Sequence, residues 1–115
     1  MLPKEHRLHQ DKEIKDLVRS GRNFFLPELT IKYKTNQAEA TKIGFIVSGR
    51  VDKRAVVRNK LTRHLREISR LLFPQFKNGY LVLIIAKKKL LDLDFENIKK
   101  QLTFALEKIG LIYKK

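Results

Sequence analysis

The sequence predicts a single α/β domain, residues 1–115, in which one sheet is covered by helices. Three observations carry that reading. A chain of 115 residues with a 43% hydrophobic share suits one ordinary globular unit with a small core. The apolar spacing switches along the chain between helical and strand periods. The three prolines and five glycines are scattered as punctuation, with no linker, repeat or low-complexity tract between them.

The first helix is expected from about Asp11 to Ser20. Asp11 can cap it, Ile14, Leu17 and Val18 form one apolar face, and Gly21 ends it. Phe24-Phe25-Leu26-Pro27 leads into a strand near Leu29 to Lys34, where Leu29, Ile31 and Tyr33 alternate with Thr30, Lys32 and Lys34. Thr35 to Thr41 reads as a turn, and Lys42 to Val47 as the returning antiparallel strand. A second helix follows from about Arg54 to Leu72, with Asp52 as its expected cap and Pro74 beyond its end. Tyr80 to Lys88 is a nearly continuous apolar run, expected as a strand buried on both faces. Asp92 or Asp94 opens a last helix whose stripe is Phe95, Ile98, Leu102, Ala105, Leu106 and Ile109, with Gly110 near its end. The order is α-β-β-α-β-α, with room for a further short strand near Phe24 or Val51.

Charge is the strongest compositional signal. There are 26 lysines and arginines against 12 acidic residues, a net charge of +14. So much like charge in a small domain is self-repulsive, and a polyanionic partner is the usual reason it is kept. The absence of cysteine removes disulfides, thiolate metal sites and a cysteine nucleophile together. Three histidines with no partner spacing do not suggest a metal site or an acid–base pair. Asp92, Asp94 and Glu96 are explained as a turn and a helix start, where negative charge suits the helix dipole. No catalytic and no metal-binding residue is therefore expected. No apolar run approaches membrane-spanning length and the first residues lack a signal-peptide core, so a cytoplasmic protein is expected.

The second helix concentrates the charge. At about 100° per residue, Val57, Leu61, Leu65, Ile68 and Leu72 fall in one stripe, and Asn59, Arg63, Arg66 and Arg70 fall almost opposite. Arg58 and Lys60 flank that row, and Lys53 and Arg54 extend the positive surface at the helix start. From Arg50 to Arg70 there are eight basic residues and two acidic ones. An ordinary solvated face mixes Glu and Lys four residues apart. A row of planar guanidinium groups, each able to grip phosphate through two hydrogen bonds, points to nucleic acid.

The stretch Ile43 to Arg70, IGFIVSGRVDKRAVVRNKLTRHLREISR, resembles the signature of the bacterial ribonuclease P protein family. The matching positions are Gly44, Phe45, Ser48, Ala55, Val56, Arg58, Asn59, Arg63, Arg66, Glu67 and Arg70. Arg7-Leu8, Ser20-Gly21-Arg22 and Ala86-Lys87-Lys88 extend the likeness over essentially the whole chain. Gly49 and Arg50 depart from the family's Lys-Lys turn, Thr62 stands where Lys is usual, and Ile14 and Val18 stand where many members carry phenylalanines. Phe24 and Phe25 are candidates to replace those aromatics.

The resemblance implies an α/β two-layer sandwich, with a single mixed sheet of about four strands, three helices and a left-handed β-α-β crossover displaying the arginine helix. It implies an accessory subunit of an endoribonuclease. The catalytic RNA, using magnesium, would cleave the 5′ leader from precursor tRNA, and the protein would bind no cofactor of its own. Lys53, Arg54, Arg58, Asn59, Arg63, Arg66 and Arg70 would lie against the catalytic RNA. Ile14, Val18, Lys32 and Lys87 would face the leader in a cleft between the first helix and the sheet. The implied partners are the ribonuclease P RNA and precursor tRNA, with no membrane and no protein partner. A different RNA-binding module, such as a ribosomal protein, would share the charge but not the motif. A peripheral membrane protein would need apolar residues beside the basic face, and here they lie opposite. The net charge also suggests that anions promote folding.

Overall fold

The computed structural model of the chain describes residues 11–35 and 40–113. Its elements are α1 (Asp11–Ser20), β1 (Arg22–Phe25), β2 (Leu29–Thr35), β3 (Lys42–Ile46), α2 (Ala55–Leu72), β4 (Tyr80–Ala86) and α3 (Phe95–Lys108), with 3-10 turns at Phe73–Gln75 and Lys88–Asp92. Residues 36–39, the Arg7-Leu8 pair and the expected Asp11 side-chain cap lie outside what is described.

The four strands form one mixed sheet in the order β1-β2-β4-β3. β1 and β2 are antiparallel, β2 and β4 are antiparallel, and β3 runs parallel to β4. This corrects the expectation that Lys42 to Val47 returns antiparallel beside β2. The apolar strand β4 takes the place between them, because it alone reads as apolar on both faces and a central strand covered on both sides suits such a run. β3, α2 and β4 therefore form a parallel crossover. The extra short strand is β1, at Phe24. Val51 is instead buried in the turn before α2, its N–H bonded to the Ser48 carbonyl at 3.0 Å.

The two faces of the sheet are covered differently. Leu29, Ile31, Ile43, Val82, Ile84 and Ala86 point to one side and pack with α2 and α3 as the main core. Leu61, Leu65, Ile68 and Leu72 are the buried stripe of α2, as their spacing predicts. On the other side Leu81 and Leu83 meet Leu17 of α1 in a smaller cluster. Of the three apolar residues expected on one face of α1, Leu17 is fully buried, Ile14 half-buried and Val18 48% exposed. A ten-residue helix lying across a sheet buries a single line of side chains, and Leu17 occupies it.

The helix ends follow local chemistry. Asp94 caps α3, its carboxylate accepting from the Asn97 N–H at 2.9 Å. Gly110 ends it with φ of 80°, while Gly110 N–H and Leu111 N–H bond back to Glu107 and Leu106. α2 has no such cap. Its N-cap residue is Arg54, without a side-chain cap bond, and Asp52 instead accepts from the Arg54 N–H at 2.8 Å. The expected Asp52 cap is thus displaced by one bound to the residue before the helix.

Candidate nucleic-acid interface

α2 holds its cations outward because its opposite stripe is fixed in the core. Asn59, Arg63, Arg66 and Arg70 are all exposed on one side of the helix. Arg63 and Arg66 make no ion pair or hydrogen bond with any described side chain. Lys53 and Arg54 stand at the positive end of the helix dipole, and no acidic residue occupies the first turn. Cations there are disfavoured by the helix dipole, a cost that a phosphate neighbour would reverse.

Two cations of the expected set are already engaged. Arg70 pairs with Glu67, which draws the Glu67 carboxyl below its ordinary range. Arg54 forks onto Asp52 through Nε at 3.1 Å and a second nitrogen at 3.0 Å. Those bonds, with the Arg54 backbone N–H, pull the Asp52 carboxyl down to about 2. Arg54 is also turned away from the row. It lines a groove of about 610 Å³ between the start of α2 and α3, beside His64, Asp94 and Phe95. Arg58 is half-buried. One of its terminal nitrogens lies close to Gly49, and its Nε is buried without a hydrogen-bond partner. A buried N–H of a permanent cation without an acceptor is an unfilled demand for one.

The second candidate surface is the sheet face under α1. The register places Asn23, Lys32 and Leu83 in one row across it, and Phe25, Thr30 and Ile85 in the next. α1 is tied over the far end of this face by Asp16, which pairs with Lys34 at 2.5 Å and with Arg19 at 3.2 Å. The Lys34 bond is the main reason the Asp16 carboxyl lies below its ordinary value. Gly21 lets the chain leave α1 closely, since a Cβ there would sit 2.5 Å from the Leu17 carbonyl oxygen. Beyond α1 the described residues leave the face open. Phe25 is 69% exposed, and Ile46 and Ile85 are only partly covered.

Lys32 and Lys87 both reach this face, each held by a neighbour. The Lys32 ammonium donates to Asn23 Oδ1 at 2.6 Å. The Lys87 ammonium donates to the Leu26 carbonyl at 2.7 Å and lies 5.8 Å from the centre of the Phe25 ring. Among the described residues no three His, Cys, Asp or Glu side chains gather to hold a metal ion. No helix there is long and apolar enough to cross a membrane.

The profile of the family described as Ribonuclease P matches residues 2–110. The chain belongs to the ribonuclease P protein family. It is 36% identical over 114 residues to the ribonuclease P protein component of Dictyoglomus turgidum, covering 97% of this chain and 95% of that one. It is 35% identical over 101 residues to the same component of a Picosynechococcus species, covering 88% and 87%. The fold agrees with two solved structures. The RNase P protein of Staphylococcus aureus superposes with a TM-score of 0.86 at 19% identity, over 96% of this chain and 100% of that one. The RNase P protein of Thermotoga maritima gives 0.80 at 24%, over 89% and 96%.

Of the residues singled out from the sequence, the structure brings Asn59, Arg63, Arg66 and Arg70 together on α2, with Lys53 at its start. Arg58 folds against the Ser48–Arg50 turn, and Arg54 faces the neighbouring groove. Ile14, Val18, Lys32 and Lys87 share the other side of the sheet, with Ile14 packed and Val18 open. Sequence reasoning missed Asn23, which positions Lys32, and did not decide between Phe24 and Phe25. Strand alternation could have decided it, because Phe24 pairs with core-facing Ile31 and Phe25 with Thr30.

Proposed function

We propose that this chain is the protein subunit of a bacterial ribonuclease P and works in the cytoplasm with a catalytic RNA in the 5′ maturation of tRNA. The observation that carries the reading is the free arginine pair Arg63 and Arg66 on a core-anchored helix, in a chain of this family. That face would lie against the RNA subunit. Its guanidinium groups would replace condensed counterions on RNA phosphates, lowering the magnesium needed for RNA segments to approach one another. Arg58, half-buried where the turn meets the helix, would add its charge to the same face.

In this reading the hydrolysis belongs to the RNA subunit, where bound magnesium would supply the activation of water and the stabilisation of the leaving oxygen. The protein's own side chains bind and orient. The opposite face, with Ile14, Val18, Lys32 and Lys87, would hold the single-stranded leader. Lysines beside an open apolar floor track a backbone without demanding a base sequence, which suits leaders of varied sequence.

The test is cleavage of a precursor tRNA by a bacterial ribonuclease P RNA at low magnesium, with and without this protein. The protein alone should be inert, and adding it should restore accurate 5′ cleavage by the RNA. Binding to the RNA with no change in rate or accuracy would reduce the chain to a general RNA-binding domain.

A further inference from the structure

We propose that a hollow at one end of the sheet, lined by Arg22, Tyr33 and Tyr80, is a binding site for a single nucleotide, with the base on the tyrosines and the phosphate on Arg22. The hollow encloses about 580 Å³ and is walled also by Ser20, Lys34 and Ile109. The strand register places it. Arg22 stands opposite Tyr33, and Tyr80 opposite Thr35, so the two tyrosines are diagonal neighbours where β2 ends and β4 begins. Both pack against the main core, which puts them on the α2–α3 side of the sheet and at the end away from Lys87. α3 ends before it covers them. Ile109 lines the hollow, and Gly110, with φ of 80°, turns the chain away directly after it.

The chemistry of the wall selects the ligand. Among the described residues no carboxylate lines it. Asp16, which reaches Lys34 from α1, is already bonded to Lys34 and Arg19. Arg22 is exposed and makes no ion pair or hydrogen bond with any described side chain. The carbonyls that close α3 are occupied, with Ala105, Leu106 and Glu107 accepting from the Ile109, Leu111 and Gly110 N–H groups. An unengaged guanidinium matches a phosphate through two parallel hydrogen bonds. Tyr33 and Tyr80 are half-buried, so the core holds their rings in place, and a ring already fixed can carry a base at small entropic cost. The volume falls in the range of small-molecule sites, roughly 300–1,000 Å³, and suits one base with its phosphate rather than a helical strand. Two sources offer that chemistry, a free nucleotide and an unstacked nucleotide of an RNA.

The experiment is calorimetric titration of the full chain with guanosine 5′-monophosphate, guanosine and ribose 5-phosphate, alone and after saturation with a bacterial ribonuclease P RNA. The whole nucleotide should bind best. Ribose 5-phosphate should bind about 5- to 100-fold more weakly, the range of one base–aromatic stack, and guanosine about tenfold more weakly. Arg22→Ala should weaken the nucleotide by about tenfold and leave guanosine unchanged, with folding intact because Arg22 lies outside the core. Tyr33→Leu, its fold checked by circular dichroism, should weaken nucleotide and guanosine alike. The Arg63→Ala/Arg66→Ala and Lys32→Ala/Lys87→Ala variants should bind the nucleotide as the wild type does, since those cations lie elsewhere. Nucleotide binding that survives RNA saturation makes a free nucleotide the occupant; displacement by the RNA makes it a nucleotide of that RNA. Wild-type affinity in Arg22→Ala, or ribose 5-phosphate binding as well as the nucleotide, would overturn the proposal and leave only the general attraction of a cationic chain for anions.

Discussion

Replacing Arg63 and Arg66 together by alanine should weaken RNA binding far more than removing Arg54 or Arg70, although all four are arginines of one helix region. The difference comes from their partners. Arg63 and Arg66 are exposed and bond to no described side chain, so each can displace a full counterion from a phosphate. Arg70 already faces Glu67, and Arg54 is forked onto Asp52. One phosphate contact changes log K by about 0.9 per decade of salt, which near 0.1 M amounts to roughly 1.2 kcal/mol. Two such contacts make roughly 60-fold in affinity and a salt slope shallower by about 1.8. Arg54→Ala or Arg70→Ala should cost no more than about threefold, since a neighbouring carboxylate cancels much of each charge. Conversely, Glu67→Gln frees Arg70 and should tighten binding. The assay is titration of a bacterial ribonuclease P RNA by fluorescence anisotropy over a series of salt concentrations. An unchanged slope in the double variant, or an Arg54→Ala effect as large, would refute the reasoning.

Three further outcomes follow from the packing. Leu65→Ala removes a fully buried side chain from the stripe that anchors α2 and should cost about 2–5 kcal/mol in thermal or urea unfolding; a loss below about 1 kcal/mol would mean α2 is not held by this stripe. Gly21→Ala should loosen α1 and lower stability by about 1–3 kcal/mol, because the new methyl meets the Leu17 carbonyl oxygen as well as the buried Leu17 side chain, and an unchanged melting temperature would contradict it. Asp52 ionises more readily folded than unfolded, so its contribution is complete above its ordinary value of 3.8 and is lost as pH falls toward about 2. The stability difference between wild type and Asp52→Asn, followed by circular dichroism, should therefore be constant near neutrality and shrink between those two pH values. A difference that persists at the acid end would show that Arg54 does not depend on the Asp52 charge.

The elements were legible where one face of a helix or strand meets one core. α1 has the bounds its caps and spacing predict, and the α2 stripe lies in the core as drawn from the 3.6 period. Strand partnership was not legible. Ile43 and Phe45 of β3 alternate just as an antiparallel neighbour would, and local periodicity does not record which strand lies between two others. The 3-10 turns at Phe73–Gln75 and Lys88–Asp92 were missed because three to five residues give no period to read. In the interface, the arginine row was visible as geometry on a helix. Which of its cations are free was not, since the Asp52–Arg54 fork depends on the bend before α2, and the Phe25–Lys87 contact joins residues far apart in sequence.

The central claim is that two separate faces serve two RNA partners, and one crossed measurement tests it. Holoenzyme assembly and the preference for leader-bearing over leaderless tRNA would be measured for an Arg63→Ala/Arg66→Ala variant of α2 and a Lys32→Ala/Lys87→Ala variant of the opposite face. The α2 variant should weaken assembly with the RNA subunit yet, once saturated, keep the leader preference. The sheet-face variant should assemble normally and lose the preference. Both variants failing in the same step would contradict the proposed division of labour between the two faces.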